Sequence, residues 1–438
     1  MFGNSISILY SALLSDQKAL QIRDRNVANV NNPDYAVENP YTETLPGVGG
    51  VIVTDIKRAS DEILHQQLLN TNTRYAGYEE LKNLLGSVEP YFSETDSGGL
   101  LNINDSFFQS LQDFLREPTN EAAQNALYSA AERLVDAIHE RYNVLQNTEE
   151  KILDQFEESV NQINRLVEEL GKLNKEIARE YAQNAPNGGD YKYLLDQRDK
   201  LLKELSQYVN ISYKTDQIGR VEVSIYEPSS TASGFIKLVD YNGEYNTFDF
   251  VRNISSPLQS KVVDNSGIQW NISFFKSGQL GGYSEAISIF EEMKTKLDAY
   301  AGDLINNLSL AGLGNKNLFS GTGAGDIAVN FTTADLQNYD TSQAQTDSDT
   351  ADNVWNLAKD DLQDLNAYYS DNLTDAQIKY ETEGDIYNSL KDKYAQKVGV
   401  NLDEELAEIM KLQQHYQALS KMIATSTKLL DYILNAVG

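Results

Sequence analysis

NLDEELAEIMKLQQHYQALSKMIATSTKLLDYILNAV, residues 401–437, runs without a proline or a glycine. Leu402, Leu406, Ile409, Leu412, Tyr416, Leu419, Ile423, Ser426, Leu430, Ile433 and Val437 follow one another in steps of three and four, and only Ser426 among them is not apolar. A mean step of about 3.5 residues is the period of a coiled-coil seam. A helix with one apolar seam needs a partner to cover it, and a candidate lies at the other end of the chain. Residues 4–30 read as an amphipathic helix carrying Ile6, Leu9, Leu13, Leu20 and Val27, although Asp16, Gln17, Arg23 and Asp24 interrupt its face. Asn31-Asn32-Pro33-Asp34 stops it, because proline disfavours helix at the residue before it.

Between these ends the pattern is mostly helical. An extended stretch with Pro40, Pro46 and a Gly47–Gly50 turn leads to Arg58. Helical periodicity then predicts segments at about 60–89, 103–115, 121–146, 149–181 (continuous with the preceding helix as an alternative) and 190–209, with a loop at 184–189. From Ile211 the period changes to two. Ile211–Tyr213, Val221–Tyr226, Phe235–Val239, Thr247–Val251 and Trp270–Phe275 read as five strands joined by Gly, Asn, Asp and Ser turns. Helix resumes from about Tyr283 to Leu310. A glycine-rich connector at 312–325 and a polar, mostly irregular stretch at 326–353 follow, then helices at about 352–369 and 375–397. The expected architecture is mainly α with a small β insert, elongated and rod-like. Its terminal helices pair as a coiled coil in an inner domain (1–59 with 398–438), a long-helix bundle forms the body (60–209 with 278–397), and residues 210–277 form a small outer β domain.

The 438 residues include 65 acidic and 36 basic ones, for a net charge of −29. This argues against a nucleic-acid partner, whose phosphates require Lys and Arg. With no cysteine, disulfides and thiolate chemistry are excluded. No apolar run approaches the ~20 residues of a membrane span, and the N-terminus lacks the basic region and cleavage site of a secretory signal. His65, His139 and His415 are scattered and read as ordinary helix positions. Gly312-Leu313-Gly314 lacks both nucleotide-binding spacings. Asp347, Asp349 and Asp352 fail the EF-hand pattern, since Ala351 stands at a ligand position and Asp352 where the Gly belongs; they read as a solvated acidic loop. No nucleophile–base–acid set can be assembled. The chain is expected to be no enzyme and to use no metal or cofactor.

Asn26-Val27-Ala28-Asn29-Val30-Asn31-Asn32-Pro33-Asp34-Tyr35 resembles the rod–hook signature of bacterial flagellar axial proteins, N-[IV]-A-N-x-x-T-P-G-Y. Asn26, Val27, Ala28, Asn29, Pro33 and Tyr35 match it, while Asn32 replaces the Thr and Asp34 the Gly. Residues 400–423, VNLDEELAEIMKLQQHYQALSKMI, look like the matching C-terminal signature, V-[ND]-L-D-x-E followed by Q-x-x-Y-x-A. Leu195, Asp196, Arg198, Asp199, Leu202, Leu205 and Ser206 are similar to the L-x-D-x-R-D-x-L-x-x-L-S segment of the hook–filament junction proteins of that family.

The resemblance implies a structural subunit that self-assembles as a ring or helical layer between hook and filament and acts as adaptor for filament growth. It implies as partners further copies of the chain, the hook protein, the second junction protein (hook-associated protein 3) and through it flagellin, a cytoplasmic export chaperone that masks the C-terminal seam, and the flagellar type III export apparatus. Neither nucleic acid nor membrane is implied. The location implied is extracellular, on the flagellum, reached from the cytoplasm without a cleaved signal. A hook or distal rod protein is the alternative within the class, and the long helical body argues against it. A non-flagellar coiled-coil adaptor leaves the Asn26–Tyr35 turn unexplained. An enzyme scaffolded on the junction has no motif in 210–277 to support it.

Overall fold

The structure, a computed structural model, describes residues 2–45, 47, 49–93, 98–184, 191–227 and 235–437; the side chains of 2–4, 184, 434, 436 and 437 lie outside that description. In chain order the main elements are α1 (Phe2–Ala28), β1 (Glu38–Thr44), β2 (Val51–Arg58), α2 (Glu62–Phe92), α3 (Leu100–Arg116), α4 (Glu121–Asn184) and α5 (Lys192–Tyr208). Next come β3 (Ile211–Thr215), β4 (Val221–Tyr226), β5 (Phe235–Val239), β6 (Phe248–Val251), β7 (Lys261–Asp264) and β8 (Gln269–Asn271). The chain closes with α6 (Gly278–Asn307), α7 (Thr333–Gln337), α8 (Ala344–Val398) and α9 (Leu402–Val437). It is mainly helical with small sheets.

Two compact units divide the chain: Met1–Thr73, Gln162–Thr247 and Glu383–Gly438 form the first, Arg74–Asn161 and Phe248–Thr382 the second. In the first unit α1 packs along α9 and against the antiparallel hairpin β1–β2, where Glu38 lies opposite Arg58 and Thr44 opposite Val51. Strands β3, β4 and β5 form an antiparallel sheet. Asn174 of α4 fixes that sheet. Its Nδ2 donates to the carbonyls of Val221 (2.7 Å) and Asp240 (2.8 Å), and its Oδ1 accepts the Val221 N–H (3.0 Å). Gly171, one turn earlier, lets the turn at Gly243 (φ +76°) close onto the helix; a Cβ on Gly243 would lie 2.3 Å from the Gly171 carbonyl oxygen. Leu173, Ile177, Tyr191, Leu194 and Leu195 make a buried cluster between α4 and α5.

The second unit is organised by the apolar face of α3. Phe107, Phe108, Leu111 and Phe114 are fully buried, Phe108 stacks on Trp355, and the Trp355 indole N–H donates to Asp105 Oδ1 (2.7 Å). Tyr300 of α6 donates its hydroxyl to Asn104 Oδ1 (2.9 Å). Helices α2 and α6 approach through glycine: a Cβ on Gly282 would sit 2.5 Å from the Gly77 carbonyl oxygen. Strands β6, β7 and β8 make a second three-stranded sheet.

Several expectations are corrected. Among the described residues the β segment has six strands in two sheets, and β7 was not anticipated because Lys-Val-Val-Asp offers only two apolar residues. The two sheets fall in different compact units, so 210–277 does not form one sheet domain. Helix α4 is continuous from Glu121 to Asn184; Thr148 bonds back to the Val144 carbonyl instead of breaking it. Helix α8 likewise runs through residues 370–374, where Asn372 bonds back to the Tyr368 carbonyl. It begins at Ala344, well inside the stretch read as irregular, which also contains α7 with its Thr332–Asp335 capping box. Helix α6 starts at Gly278, whose φ of +70° suits glycine and whose carbonyl oxygen would lie 2.8 Å from a Cβ on Gly77. Asp347 is no solvated loop residue. It is buried and accepts the N–H groups of Ala311 (2.6 Å) and Gly312 (2.9 Å) and the Tyr339 hydroxyl (2.7 Å), and so shapes the glycine-rich connector. The loop expected at 184–189 lies, beyond the backbone of Asn184, outside the described residues, as does part of the Gly47–Gly50 turn.

Within α4, Glu149 is buried with Lys294 as its ion-pair partner. Burial outweighs the lysine and pushes its pKa up to about 7. The native state therefore holds this proton more tightly than the unfolded chain, and its contribution to stability is full below the ordinary glutamate range and is lost as pH rises towards 7. Glu149→Gln removes the titration. The stability of wild type relative to this variant should fall by up to about 3 kcal/mol across that interval. Urea unfolding of both proteins at intervals from pH 4.5 to 8 checks it, and a flat difference would refute the shift.

Candidate functional site

The two ends of the chain meet at Asn26. This side chain is fully buried in the last turns of α1, and all its hydrogen-bonding positions are used. Nδ2 donates to the Glu38 carbonyl (2.9 Å) and to Glu405 Oε2 (3.0 Å). Oδ1 accepts the Glu38 N–H (3.1 Å) and the Tyr35 hydroxyl (2.7 Å). One amide thus ties α1 to the start of β1, to the end of the following turn and to the first turn of α9. Arg23 adds a charged bond to Glu405 Oε1 at 2.9 Å. Burial with Glu38 nearby raises the Tyr35 pKa far above the ordinary range, so its hydroxyl stays a donor.

The turn itself is held locally. Asn32 Oδ1 accepts the Asp34 N–H at 3.2 Å, an Asx turn, and Asn29 Nδ2 donates to the Arg25 carbonyl. Pro33 is exposed, Val27 half-buried and Ala28 exposed, so these motif residues shape the helix end without entering the polar cluster. Among the described residues only Asn315 combines a side chain with positive φ, so Asp34 occupies the family's glycine position without left-handed backbone. Its carboxylate faces Lys203 Nζ at 3.3 Å.

Helix α5 supplies the second half of the site. Leu195, Leu202 and Leu205 are buried and seat the helix; Ser206, fully buried, accepts from Asn72 Nδ2 at 2.8 Å. Asp196, Arg198 and Asp199 lie along the edge of this same buried face. Arg58, at the end of β2, donates from Nε to Asp196 Oδ1 (2.7 Å) and from Nη2 to Asp199 Oδ2 (2.8 Å). Arg198 grips Asp199 Oδ1 through Nε (2.8 Å) and Nη2 (2.6 Å), and donates from Nη1 to the Gly219 carbonyl (2.6 Å). Asp196 Oδ1 also accepts the Ala36 N–H at 3.3 Å, which joins this cluster to the Asn26 turn. Burial works against ionisation of Asp199, but Arg198 and Arg58 outweigh it and hold its pKa below the ordinary range. For Asp196 burial prevails over Arg58, and its pKa is raised. His65 stacks on Tyr394 and shares a 2.7 Å hydrogen bond with Tyr213; burial lowers its pKa and keeps the ring neutral.

The C-terminal seam is covered only in part. Leu419 is buried, Ile409, Leu412, Tyr416, Ile423, Ser426 and Leu430 are half-buried, and Leu402, Leu406 and Ile433 are exposed. The side chain of Val437 lies outside the description. At the first turn it is Glu405, not its leucine neighbours, that faces α1. Asp16 of α1, an apparent interruption, meets His415 Nδ1 at 2.6 Å.

Sequence reasoning did not single out Arg58, Arg23 or Glu405. Two carboxylates three residues apart on the buried side of α5 demand a cation, and Glu405 is the acidic position of the C-terminal signature; both signals were present. Among the described residues no cluster of His, Asp or Glu is placed to hold a metal, and no helix is long and apolar enough to cross a membrane.

The Arg58 cluster makes an acid-dependent contribution. Asp199, with its lowered pKa, stabilises the fold above the ordinary aspartate range, and this is lost as pH falls through its native pKa. Arg58→Met should cost roughly 3–5 kcal/mol at neutral pH by leaving Asp196 without its cation and Asp199 with Arg198 alone. The deficit should shrink below about pH 4 as those carboxylates protonate. Denaturant unfolding of the full chain at neutral and acid pH checks the sign; an equal deficit at both would contradict it.

Residues 85–312 match the model of the flagellar hook-associated protein FlgK helical domain, and residues 391–436 that of the flagellar basal body rod FlgEFG protein C-terminal. Flagellar hook-associated protein 1 of Bacillus subtilis (strain 168) is 23% identical over an alignment covering 98% of this chain and 97% of that protein. The Escherichia coli (strain K12) protein of the same name is 22% identical, with 97% and 98% covered. The flagellar hook junction protein FlgK from Burkholderia pseudomallei superposes with a TM-score of 0.49 at 21% identity, over 58% of this chain and 46% of that one. With more than half its length matched by the helical-domain model, this chain belongs to the flagellar hook-associated protein FlgK family.

Proposed function

We propose that this chain is a structural subunit of the bacterial flagellum that forms the junction between hook and filament by self-assembly and provides the layer on which the filament grows. The observation that carries this reading is the incompletely covered α1–α9 pair. Tyr10 and Leu14 on α1 and Met410, Met422, Leu429 and Tyr432 on α9 are exposed apolar side chains, and Tyr432 is 72% exposed. A chain of net charge −29 resists indiscriminate association. An apolar stripe of this length on such a chain is a surface for specific burial. Neighbouring copies, the hook protein and the second junction protein with flagellin beyond it would complete the stripe in the assembly; an export chaperone would cover it beforehand. The residues of the Asn26 turn and of Asp196–Ser206 act as the scaffold that aims the helix pair. In this reading residues 1–59 with 398–438 are the inner assembling part, and the chain does no catalysis. It works outside the cell after export from the cytoplasm through the type III apparatus.

The rod-type match at 391–436 lies within the helix pair and its approach, which a rod or hook protein would share; the match at 85–312 favours the junction reading.

Replacing Leu412 and Leu419 together with Asp places two charges on the covered side of α9. Cells carrying this variant should build hooks that lack filaments, seen by electron microscopy, while the purified chain retains the second unit's unfolding transition. Filaments at wild-type frequency would sink the proposal, and basal bodies without hooks would move the chain to the rod.

A further inference from the structure

The first unit contains a cavity of about 180 Å³ beneath the Asn32–Tyr35 turn. Leu68, Leu69, Tyr387 and Val398 give it apolar walls, and Gly399 and Val400 close one side. An apolar space on the order of 150 Å³ is enough for a benzene-sized group, so one large aliphatic side chain fits. Its polar lining is biased to positive charge. Arg58 is spent on Asp196 and Asp199, and Lys203 on Asp34. Lys200, whose nearest carboxylate oxygen is 3.9 Å away on Glu204, and the exposed Lys391 remain at the rim. Two lysines beside an apolar hole form an uncommon feature on a chain with 65 acidic and 36 basic residues.

A complementary projection lies two residues beyond the cavity wall. In the first turn of α9, Leu402 and Leu406 are 40% and 44% exposed, and Asp403 and Glu404 between them are exposed as well. This turn is rigid: Asn401 Oδ1 accepts the N–H groups of Asp403 (3.1 Å) and Glu404 (3.4 Å), and Glu405 is locked by Arg23 and Asn26. The two leucines are spaced i, i+4 on one face and stay exposed, while Glu405 is the residue of this turn that bonds to α1.

We propose that the cavity of one copy receives the first turn of α9 from a second copy, with the Leu402–Leu406 edge entering the apolar space and Asp403 and Glu404 facing Lys200 and Lys391. Two cavities brought face to face would oppose lysine to lysine, so the contact pairs the cavity of one copy with α9 of another. A knob on one face meeting a hole on another is the arrangement that generates rings or helical layers. This deepens the junction reading and rests on it only for the assembled context.

The absence of cysteine from the native chain makes a direct test available. Full-length chains carrying only Ala395→Cys, at the cavity edge, are coexpressed with chains carrying only Ala407→Cys, beside the leucine edge. Flagella and the concentrated purified mixture are then treated with a short bismaleimide. The expected result is a cross-linked dimer in the mixed sample and none with either chain alone. Lys200→Glu with Lys391→Glu in the Ala395→Cys chain should abolish the dimer, and Asp403→Lys with Glu404→Lys in the Ala407→Cys chain should restore it. Thermal melts verify that each variant folds. Absence of the mixed dimer in both samples overturns the proposal, as does failure of the charge reversal to restore it in a folded chain. Chains found at hooks without the cross-link leave the junction reading standing and remove this contact; the cross-link in solution without chains at hooks does the reverse.

Discussion

A buried amide with every hydrogen-bonding position occupied sets the geometry on which the rest of the first unit depends. Asn26 reaches Glu38, Tyr35 and Glu405 at once, and it is fully buried. Leaving one of these groups unpaired would cost ~1–3 kcal/mol, far more than the bond adds over its hydrated alternative. The consequence is one of register. An apolar seam tolerates a shift of α9 by a turn, since one leucine replaces another. Glu405 resists such a shift, because in this register its one carboxylate satisfies both Arg23 and Asn26. The polar cluster contributes uniqueness where the seam contributes attraction, the use of buried polar groups best attested in coiled coils.

The Arg58 cluster extends the same constraint to α5. Two guanidinium groups and two carboxylates are desolvated together, and the direct gain over an apolar equivalent is small. Its value lies in connection. Asp196 takes bonds from Arg58 on β2 and from the Ala36 backbone, while Arg198 holds the turn before β4 through Gly219. Removing any one member would strand charges on the others, so the hairpin, the turn and α5 keep or lose their arrangement as a set.

Much of this was legible in the residues. The seam pointed to a partner helix, and α1 is that partner. The period change at Ile211 located most of the strands, because side-chain alternation is a local property. What was not legible depended on tertiary context. Helix α8 continues through Ser370-Asp371-Asn372 because Asn372 satisfies its own helix, a choice that composition leaves open. Asp347 looked solvated because its partners, the Ala311 and Gly312 N–H groups, lie more than thirty residues away. The motif residues were found as a pattern, yet the pattern hid a division of labour. Asn26 and Tyr35 carry the polar cluster, whereas Pro33 and Ala28 only shape the chain around it. Asp34 shows why a departure from a family pattern has to be judged by backbone angle: with no positive φ to accommodate, the missing glycine costs nothing there.

The exposed side of the helix pair then follows from how the anchor is placed. Glu405 turns the first turn of α9 so that the carboxylate, not Leu402 or Leu406, faces α1. Had the leucines faced inward, the pair would have been a closed two-helix seam with little apolar surface left over. Fixing the register by a buried charge rotates that apolar edge outward and holds it there, at the cost of burying Glu405. A flexible apolar edge would lose conformational entropy on docking; one already capped by Asn401 and locked by Arg23 and Asn26 has lost it beforehand. The polar cluster that makes the fold unique is thus also what presents an apolar surface in a single orientation, which repeated, identical contacts between subunits require.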